Sequence, residues 1–258
     1  MIGAIAGDII GSVHEFLGTK NTQFPLFTPA SRFTDDSVLT IALAESILTG
    51  KSYLDVMIRY TKKYPNAGYG GYYSRWISGG DYTPYYSYGN GAAMRISPVG
   101  FAYDTLDEVL QQAETATAIT HNHPEGIKGA QATAAAIFWA RTGGSKKQIR
   151  ENIEKLFGYD LSRKVDDIRP GYHFNETCQA TVPEAIIAFL ESTSYEDAIR
   201  LSISLGGDAD TLACITGGIA QAFYKSIPVS IVEETFDRLN EPLKMIVREF
   251  SDKYQIKY

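Results

Sequence analysis

Two short clusters of acidic residues and threonines carry oxygen atoms of the kind that bind hard metal ions. The first is Thr34–Ser37 (TDDS) and the second is Gly206–Thr211 (GGDADT). Each places two carboxylates and a threonine hydroxyl at the start of an apolar helical pattern. If the fold brings the clusters together, like charges so close do not all stay ionised without a cation. Oxygen ligands of this kind suit Mg²⁺, Mn²⁺ or Ca²⁺ and do not suit zinc.

The same clusters also fit a simpler role as helix N-caps. An Asp or Thr before an apolar helix usually caps a free backbone N–H, and a negative charge there suits the helix dipole. One capping oxygen would be enough, whereas Asp35 with Asp36, and Asp208 with Asp210, supply two in each cluster. Extra carboxylates among apolar neighbours need a partner, and few basic residues lie nearby in the sequence. Taken jointly, the clusters favour a metal site.

The segment Gly3–Ser12 has glycines at Gly3, Gly7 and Gly11. It resembles a dinucleotide-binding fingerprint only superficially, because no βαβ pattern follows. We predict instead a helix face of small residues that lets another helix approach closely. Glu15 lies one helical turn beyond Gly11 and would project from the same face. It would either reach the metal site or remain a solvated glutamate.

The segment Gly68–Gly91 is dense in tyrosine and glycine and has almost no aliphatic residues. We predict a long loop, which would either stack aromatic rings on a nucleobase or sugar, or pack on itself. The stretch Gly89–Arg95 (GNGAAMR) then opens a helix, and its backbone N–H groups could hold a phosphate or form an ordinary turn.

Two histidines, His121 and His123, follow the end of a predicted helix. Their spacing would allow zinc binding, but no third soft ligand is nearby. A hydrogen-bonding or substrate-orienting role is therefore favoured.

Helical periodicity dominates the rest of the chain and predicts an all-α fold, since strand patterns are scarce. Caps are predicted at Thr34 or Asp35, Thr105 and Ser194, and Pro183 is expected in the first turn of its helix. The apolar runs at helical spacing are Val38–Leu48, Tyr53–Tyr64, Leu106–Ile119, Ala130–Ala140, Ile149–Phe157, Val182–Leu190 and Ile231–Phe250.

Length and composition indicate one domain over residues 1–258. The net charge of −6, without a basic stripe, argues against dedicated nucleic-acid binding. The two cysteines, Cys178 and Cys214, imply neither a disulfide scaffold nor a zinc knuckle. No apolar stretch is long enough to span a membrane. We therefore expect a soluble cytoplasmic protein with no membrane partner.

In chain order, five segments resemble the signature series of the ADP-ribosylglycohydrolase family. The resemblance extends from residue 3 to about residue 224. It implies a compact, single-domain, all-α fold with two Mg²⁺ or Mn²⁺ ions in a central cleft. The segments are Gly7–Glu15, Phe33–Ser37, Gly89–Arg95, Thr120–His121 and Gly206–Thr211.

The resemblance also implies roles for single residues. Glu15 would be an additional metal ligand or the catalytic carboxylate, and Asp208 is the other candidate for the catalytic base. His121 matches a position beside the ribose of the substrate. The metal ligands would be Thr34, Asp35, Asp36, Asp208, Asp210 and Thr211, and the stretch that binds the diphosphate and ribose would be Ser87, Tyr88, Gly89 and Asn90.

The implied reaction is hydrolysis of the glycosidic bond at the anomeric carbon of ADP-ribose, in an ADP-ribosylated protein or small molecule. Two hard cations would chelate the vicinal hydroxyls of the ribose and activate a water, and the transition state would have oxocarbenium character. The acceptor stays open between arginine, serine, nucleic acid and small molecules. A catalytically silent ADP-ribose-binding protein and an unrelated metal-dependent phosphohydrolase are the alternatives. Every ligand position of the motif is filled, which favours an enzyme.

Overall fold

Helices make up the regular structure of the computed structural model, which describes residues 1–258. There is no β-strand, and a single β-bridge pairs Gly89 with Thr177. The predicted all-α class is therefore confirmed. The helices are α1 (Ile2–Gly11), α2 (Asp35–Thr49), α3 (Tyr53–Lys63), α4 (Gly71–Gly79), α5 (Gly91–Met94), α6 (Ser97–Ala102), α7 (Leu106–Ala118), α8 (Pro124–Arg141), α9 (Lys146–Phe157), α10 (Val165–Ile168), α11 (Cys178–Glu191), α12 (Tyr195–Ile203), α13 (Ala209–Tyr224), α14 (Val229–Arg238) and α15 (Glu241–Lys253).

The predicted caps explain where several helices begin, and glycines explain where two of them end. Thr105 forms a capping box with Glu108 at the start of α7, and the Ser194 hydroxyl accepts a hydrogen bond from the backbone of α12. Gly50 ends α2 and Gly158 ends α9, with φ of 70° and 69°. These left-handed conformations strain any residue with a Cβ, which is why glycine ends both helices.

Two helix predictions are wrong in detail. The run Ile231–Phe250 forms two helices, α14 and α15, because the chain leaves the helix at Leu239 and the Asn240 side chain caps α15. Pro183 lies inside α11 and not in its first turn, because α11 already begins at Cys178. The carbonyl of Gln179 loses its helical partner there, but this residue is exposed and water can replace the missing N–H.

The aromatic segment Gly68–Gly91 is not a continuous loop, since α4 lies within it. Tyr73 and Trp76 of this helix are buried, and the indole nitrogen of Trp76 donates to the Thr83 carbonyl at 3.0 Å. The segment therefore folds back on itself while it keeps other tyrosines at the surface.

The core is one contiguous cluster of 71 buried apolar residues. The central helices are α1, in which every residue is buried, and α13, which contacts α1, α8, α11 and α12. No helix has both the length and the apolar character that crossing a bilayer requires.

Glycines let α1 and α13 pack backbone against backbone. A Cβ at Gly7 would lie 2.0 Å from the Ala213 carbonyl oxygen, and a Cβ at Gly11 would lie 2.5 Å from the Cα of Asp210. No side chain fits in these gaps, so the predicted face of small residues is confirmed. The contact places the end of α1 beside the start of α13.

Gly7→Ala tests this contact. The added methyl group would overlap the Ala213 carbonyl, so we expect the free energy of unfolding to fall by about 3 kcal/mol, at the upper end for over-packed cores. Gly79→Ala is the matched control, because a Cβ at Gly79 in α4 has no atom within 4 Å. Urea unfolding of both variants is the measurement. An unchanged midpoint for Gly7→Ala would contradict the close packing.

Candidate functional site

A cavity of about 170 Å³ lies at the starts of α2, α4, α5 and α13, beside the turn that follows α1. Both acidic clusters line it, although they lie far apart in the sequence. Two predicted site residues, Thr34 and Tyr88, are not among the lining residues. Those that do line it are Glu15, Asp35, Asp36, Ser87, Gly89, Asn90, His121, Asp208, Asp210 and Thr211.

Asp8, a carboxylate inside the apolar helix α1, determines how α2 begins. Its two oxygens accept hydrogen bonds from the Thr34 backbone at 3.0 Å, the Thr34 hydroxyl at 2.6 Å and the Ser37 backbone at 3.1 Å, and also from the Ser37 hydroxyl. Thr34 in turn accepts a hydrogen bond from the Asp36 backbone as N-cap of α2. The oxygens of Asp8 are therefore occupied in capping, whereas the Thr34 hydroxyl keeps one free lone pair and the carboxylates of Asp35 and Asp36 stay available to the cavity.

The second cluster is held by a neighbouring turn. Asn90 donates from its side-chain nitrogen to an Asp208 oxygen at 2.7 Å and to the Thr181 hydroxyl at 3.2 Å. Asp210 accepts a hydrogen bond from the backbone of Thr211 at 3.0 Å. The turn before α5 thus fixes the orientation of the Asp208 carboxylate.

Glu15 lines the cavity, but from a turn and not from the helix face that was predicted. Because α1 ends at Gly11, Glu15 lies in the following turn and does not continue the helix face. Its carboxylate nevertheless comes close to Asp208 and Asp210, and one oxygen from each of the three lies within 4.8 Å of the others. This is a spacing from which three ligands can contact one ion.

Burial and like charge together raise the pKa values of four carboxyl groups, those of Glu15, Asp35, Asp36 and Asp210. Burial is the main cause for each, and neighbouring carboxylates add to it. The pKa of Asp35 rises to about 8 and that of Glu15 to about 7. The pKa values of Asp36 and Asp210 rise well above the ordinary value. None of the four forms an ion pair with a lysine or arginine.

One buried oxygen is left without any partner. The Oδ2 atom of Asp36 is inaccessible to solvent and accepts no hydrogen bond. A buried carboxylate oxygen in this state costs free energy unless a cation or a proton satisfies it. The oxygen-only ligand set, the crowded charge and this unsatisfied atom all fit a hard divalent cation such as Mg²⁺ or Mn²⁺.

The cavity is also lined by the turn before α5 and by two buried nitrogen-bearing side chains, a guanidinium and an imidazole. Arg95 is 1% exposed and His121 is 5% exposed. Burial, and then the Arg95 charge, lower the pKa of His121 well below its ordinary value, so its ring is neutral. His123 lies outside the cavity lining and caps α8, with its ring nitrogen accepting from the Glu125 backbone.

The predicted phosphate-holding turn keeps few free donors. The backbone N–H of Gly89 donates to the Ser87 hydroxyl at 3.1 Å, and that of Asn90 donates to the Glu176 carbonyl at 2.7 Å. The N–H of Gly91 has no protein acceptor. Tyr88 is 46% exposed, and its ring packs against that of His123, the N-cap of α8.

Sequence reasoning assigned no role to Asp8, Arg95 or Glu176. Asp8 did give a signal, because it is the one charged residue in an otherwise apolar helix. Arg95 ends the GNGAAMR stretch, where small and apolar residues already indicated burial. Glu176 gave no signal, because it lines the cavity only through the long-range pairing of its loop with Gly89.

Comparison with known proteins shows which family this chain belongs to. The sequence model of the ADP-ribosylglycohydrolase family matches residues 1–256. The chain belongs to the ADP-ribosylglycohydrolase family. This confirms the resemblance seen in the sequence motifs.

Several family members resemble the whole chain. It is 26% identical to the ADP-ribosylhydrolase ARH3 of Mus musculus, over 97% of this chain and 91% of that protein. It is 25% identical to the ADP-ribosylarginine hydrolase Tri1 of Pseudomonas putida, over 98% of this chain and 77% of that protein. A solved structure titled ADP-ribosylglycohydrolase-related protein complex superposes with a TM-score of 0.71 at 25% identity, over 97% of each chain.

The raised pKa values predict how the metal-free protein responds to pH. Between the ordinary pKa of 3.8 for Asp and the value of about 8 for Asp35, the folded protein holds a proton that the unfolded chain has lost. Stability should therefore rise as the pH falls from 8.5 to 6.5. Thermal unfolding with EDTA is the measurement, and Asp35→Asn, which cannot ionise, should show a shallower slope. Equal slopes for the two proteins would contradict the raised pKa.

Proposed function

We propose that this protein is a metal-dependent hydrolase that cleaves the glycosidic bond at the anomeric carbon of ADP-ribose and releases ADP-ribose. Its substrates would be ADP-ribosylated proteins or ADP-ribose-containing small molecules. The observation that carries the proposal is the unsatisfied Asp36 oxygen amid the carboxylates of the cavity. The names of the relatives support the substrate class, since ARH3 is an ADP-ribosylhydrolase and Tri1 an ADP-ribosylarginine hydrolase.

Two Mg²⁺ or Mn²⁺ ions are the proposed cofactors. When bound, such ions supply positive charge that polarises substrate and water oxygens. Glu15 would be a further ligand or the catalytic carboxylate. The proposed ligands are Thr34, Asp35, Asp36, Asp208, Asp210 and Thr211.

Glu15 is the better candidate than Asp208 for taking a proton from the attacking water. Glu15 is only half-buried and lies on a turn at the cavity wall, so water can reach it. Asp208 is 6% exposed and is held by the Asn90 side chain, which favours a positioning and ligand role. A general base must be within reach of the water that it deprotonates.

The turn before α5 would bind the ADP-ribose. Ser87, Gly89 and Asn90 line the cavity there, and the Gly91 N–H has no protein acceptor and could donate to a phosphate oxygen. His121 lies beside the same turn, where its ring can contact the ribose. Tyr88 lies at the surface beyond the lining, so its proposed contribution is at the outer edge of the substrate.

Asp210→Ala tests the metal centre. Removal of a proposed ligand should lower turnover by at least about 100-fold, more than the loss typical of residues outside the ligand set. The assay is ADP-ribose release, followed by mass, from an arginine-linked and a serine-linked ADP-ribosyl peptide, with Mg²⁺ and with EDTA. Asp55→Ala, which removes an exposed carboxylate of α3, is the control and should keep full activity.

The outcomes separate the candidate functions. Release from one peptide that stops with EDTA supports the hydrolase and identifies the acceptor. Binding of ADP-ribose without release from either peptide would favour a silent binding protein. Full activity of Asp210→Ala would contradict the proposed ligand set.

A further inference from the structure

Arg95 is a buried arginine without an acidic partner. Its side chain is 1% exposed, it forms no ion pair, and its Nε atom has no hydrogen-bond partner. Fully buried arginines are normally paired, because burial of an isolated charge is costly. The one hydrogen bond that Arg95 makes to the protein is therefore informative. It runs from Nη2 to the Thr120 hydroxyl at 2.8 Å.

Thr120 joins Arg95 to His121. The Thr120 hydroxyl oxygen lies 2.7 Å from Nδ1 of His121, and the residue is fully buried. A guanidinium can only donate, so the Arg95 bond occupies one lone pair of this oxygen. The structure offers the hydroxyl proton of Thr120 no acceptor other than Nδ1 of His121. The single hydroxyl proton of Thr120 is then directed at Nδ1.

The electrostatics favour the same arrangement. His121 is neutral, because burial and the Arg95 charge both disfavour the imidazolium. A neutral imidazole carries a lone pair on one nitrogen and a proton on the other, and the hydrogen bond made by one nitrogen decides which is which. The positive guanidinium lies on the Nδ1 side, where a lone pair is favourable and an N–H is not. The proton therefore belongs on Nε2.

The Nε2 atom faces the side of the cavity that lacks side chains. A Cβ at Gly91 would lie 3.3 Å from Nε2, and a Cβ at Gly89 would lie 3.4 Å from it. The two glycines therefore leave this nitrogen open, and His121 itself lines the cavity. No protein atom accepts a hydrogen bond from it.

We propose that Arg95 and Thr120 are positioning residues that hold His121 in the tautomer protonated at Nε2, so that Nε2 donates a hydrogen bond to an oxygen of bound ADP-ribose. The identity of the ligand rests on the proposed function. The tautomer does not, because the contacts that set it lie entirely within the protein.

The tautomer is measured on the full-length protein by ¹⁵N NMR of its histidine rings, with the His121 signals assigned from His121→Gln. We expect a protonated Nε2 in the wild type. Thr120→Val removes the hydroxyl at nearly constant volume and should give a mixture of tautomers, and Thr120→Ser should restore the wild-type spectrum. Thr117→Val is the matched control, because its buried hydroxyl one turn earlier has no partner in the structure.

Binding is measured by titration with ADP-ribose in the presence of Mg²⁺. Loss of one well-directed hydrogen bond should weaken binding by about 10-fold in Thr120→Val, with little change in Thr120→Ser or Thr117→Val. A protonated Nδ1 in the wild type, or a Thr120→Val spectrum equal to the wild type, would overturn the inference. So would unchanged ADP-ribose affinity in Thr120→Val.

The two proposals fail separately. If the wild type shows the expected tautomer but does not bind ADP-ribose, the proposed function is contradicted while the roles of Arg95 and Thr120 toward His121 stand. If ADP-ribose binds and is released from substrates but the tautomer does not depend on Thr120, the positioning role is contradicted while the proposed function stands.

Discussion

The close packing of α1 on α13 is the constraint on which the site depends. Three glycines of α1 remove the side chains that would hold the two backbones apart. The same helix α1 carries Asp8, which caps the start of α2, and the turn after α1 brings Glu15 to the start of α13. A wider spacing of these two helices would separate Glu15 from Asp208 and Asp210.

The crowded carboxylates work against the stability of the metal-free fold. Asp36, Asp208 and Asp210 are buried, and Glu15 and Asp35 are partly buried. Their charges raise the pKa values of their neighbours, while the buried cation of the cavity, Arg95, forms no direct ion pair with them. A ligand that binds only the folded state stabilises it in proportion to the logarithm of its concentration. A bound cation would therefore offset the repulsion, and folding and metal loading would be coupled.

The all-α class and most helix positions were predicted from the sequence, because periodicity and caps are local signals. The meeting of the two acidic clusters was predicted from their redundant carboxylates and from the family motifs. The role of Asp8 could not be predicted, because its hydrogen-bond partners lie at the start of another helix and are far from it in the sequence. The break at Leu239, the start of α11 ahead of Pro183 and the helix α4 were missed for a related reason. At each of these places the apolar pattern is compatible with both a helical and a non-helical backbone, and tertiary contacts or a single cap decide between them.

The central place of α1 also has a consequence for folding during synthesis. Its partner α13 follows roughly 200 residues later in the chain. At a translation rate of about 5 to 20 residues per second, α1 would wait on the order of 10 to 40 s for that partner. Helical proteins usually fold fast because their contacts are local, but this core closes only when α1 meets a helix near the other end of the chain. The largely apolar α1 would meanwhile be exposed on the nascent chain, where chaperones and aggregation compete for it.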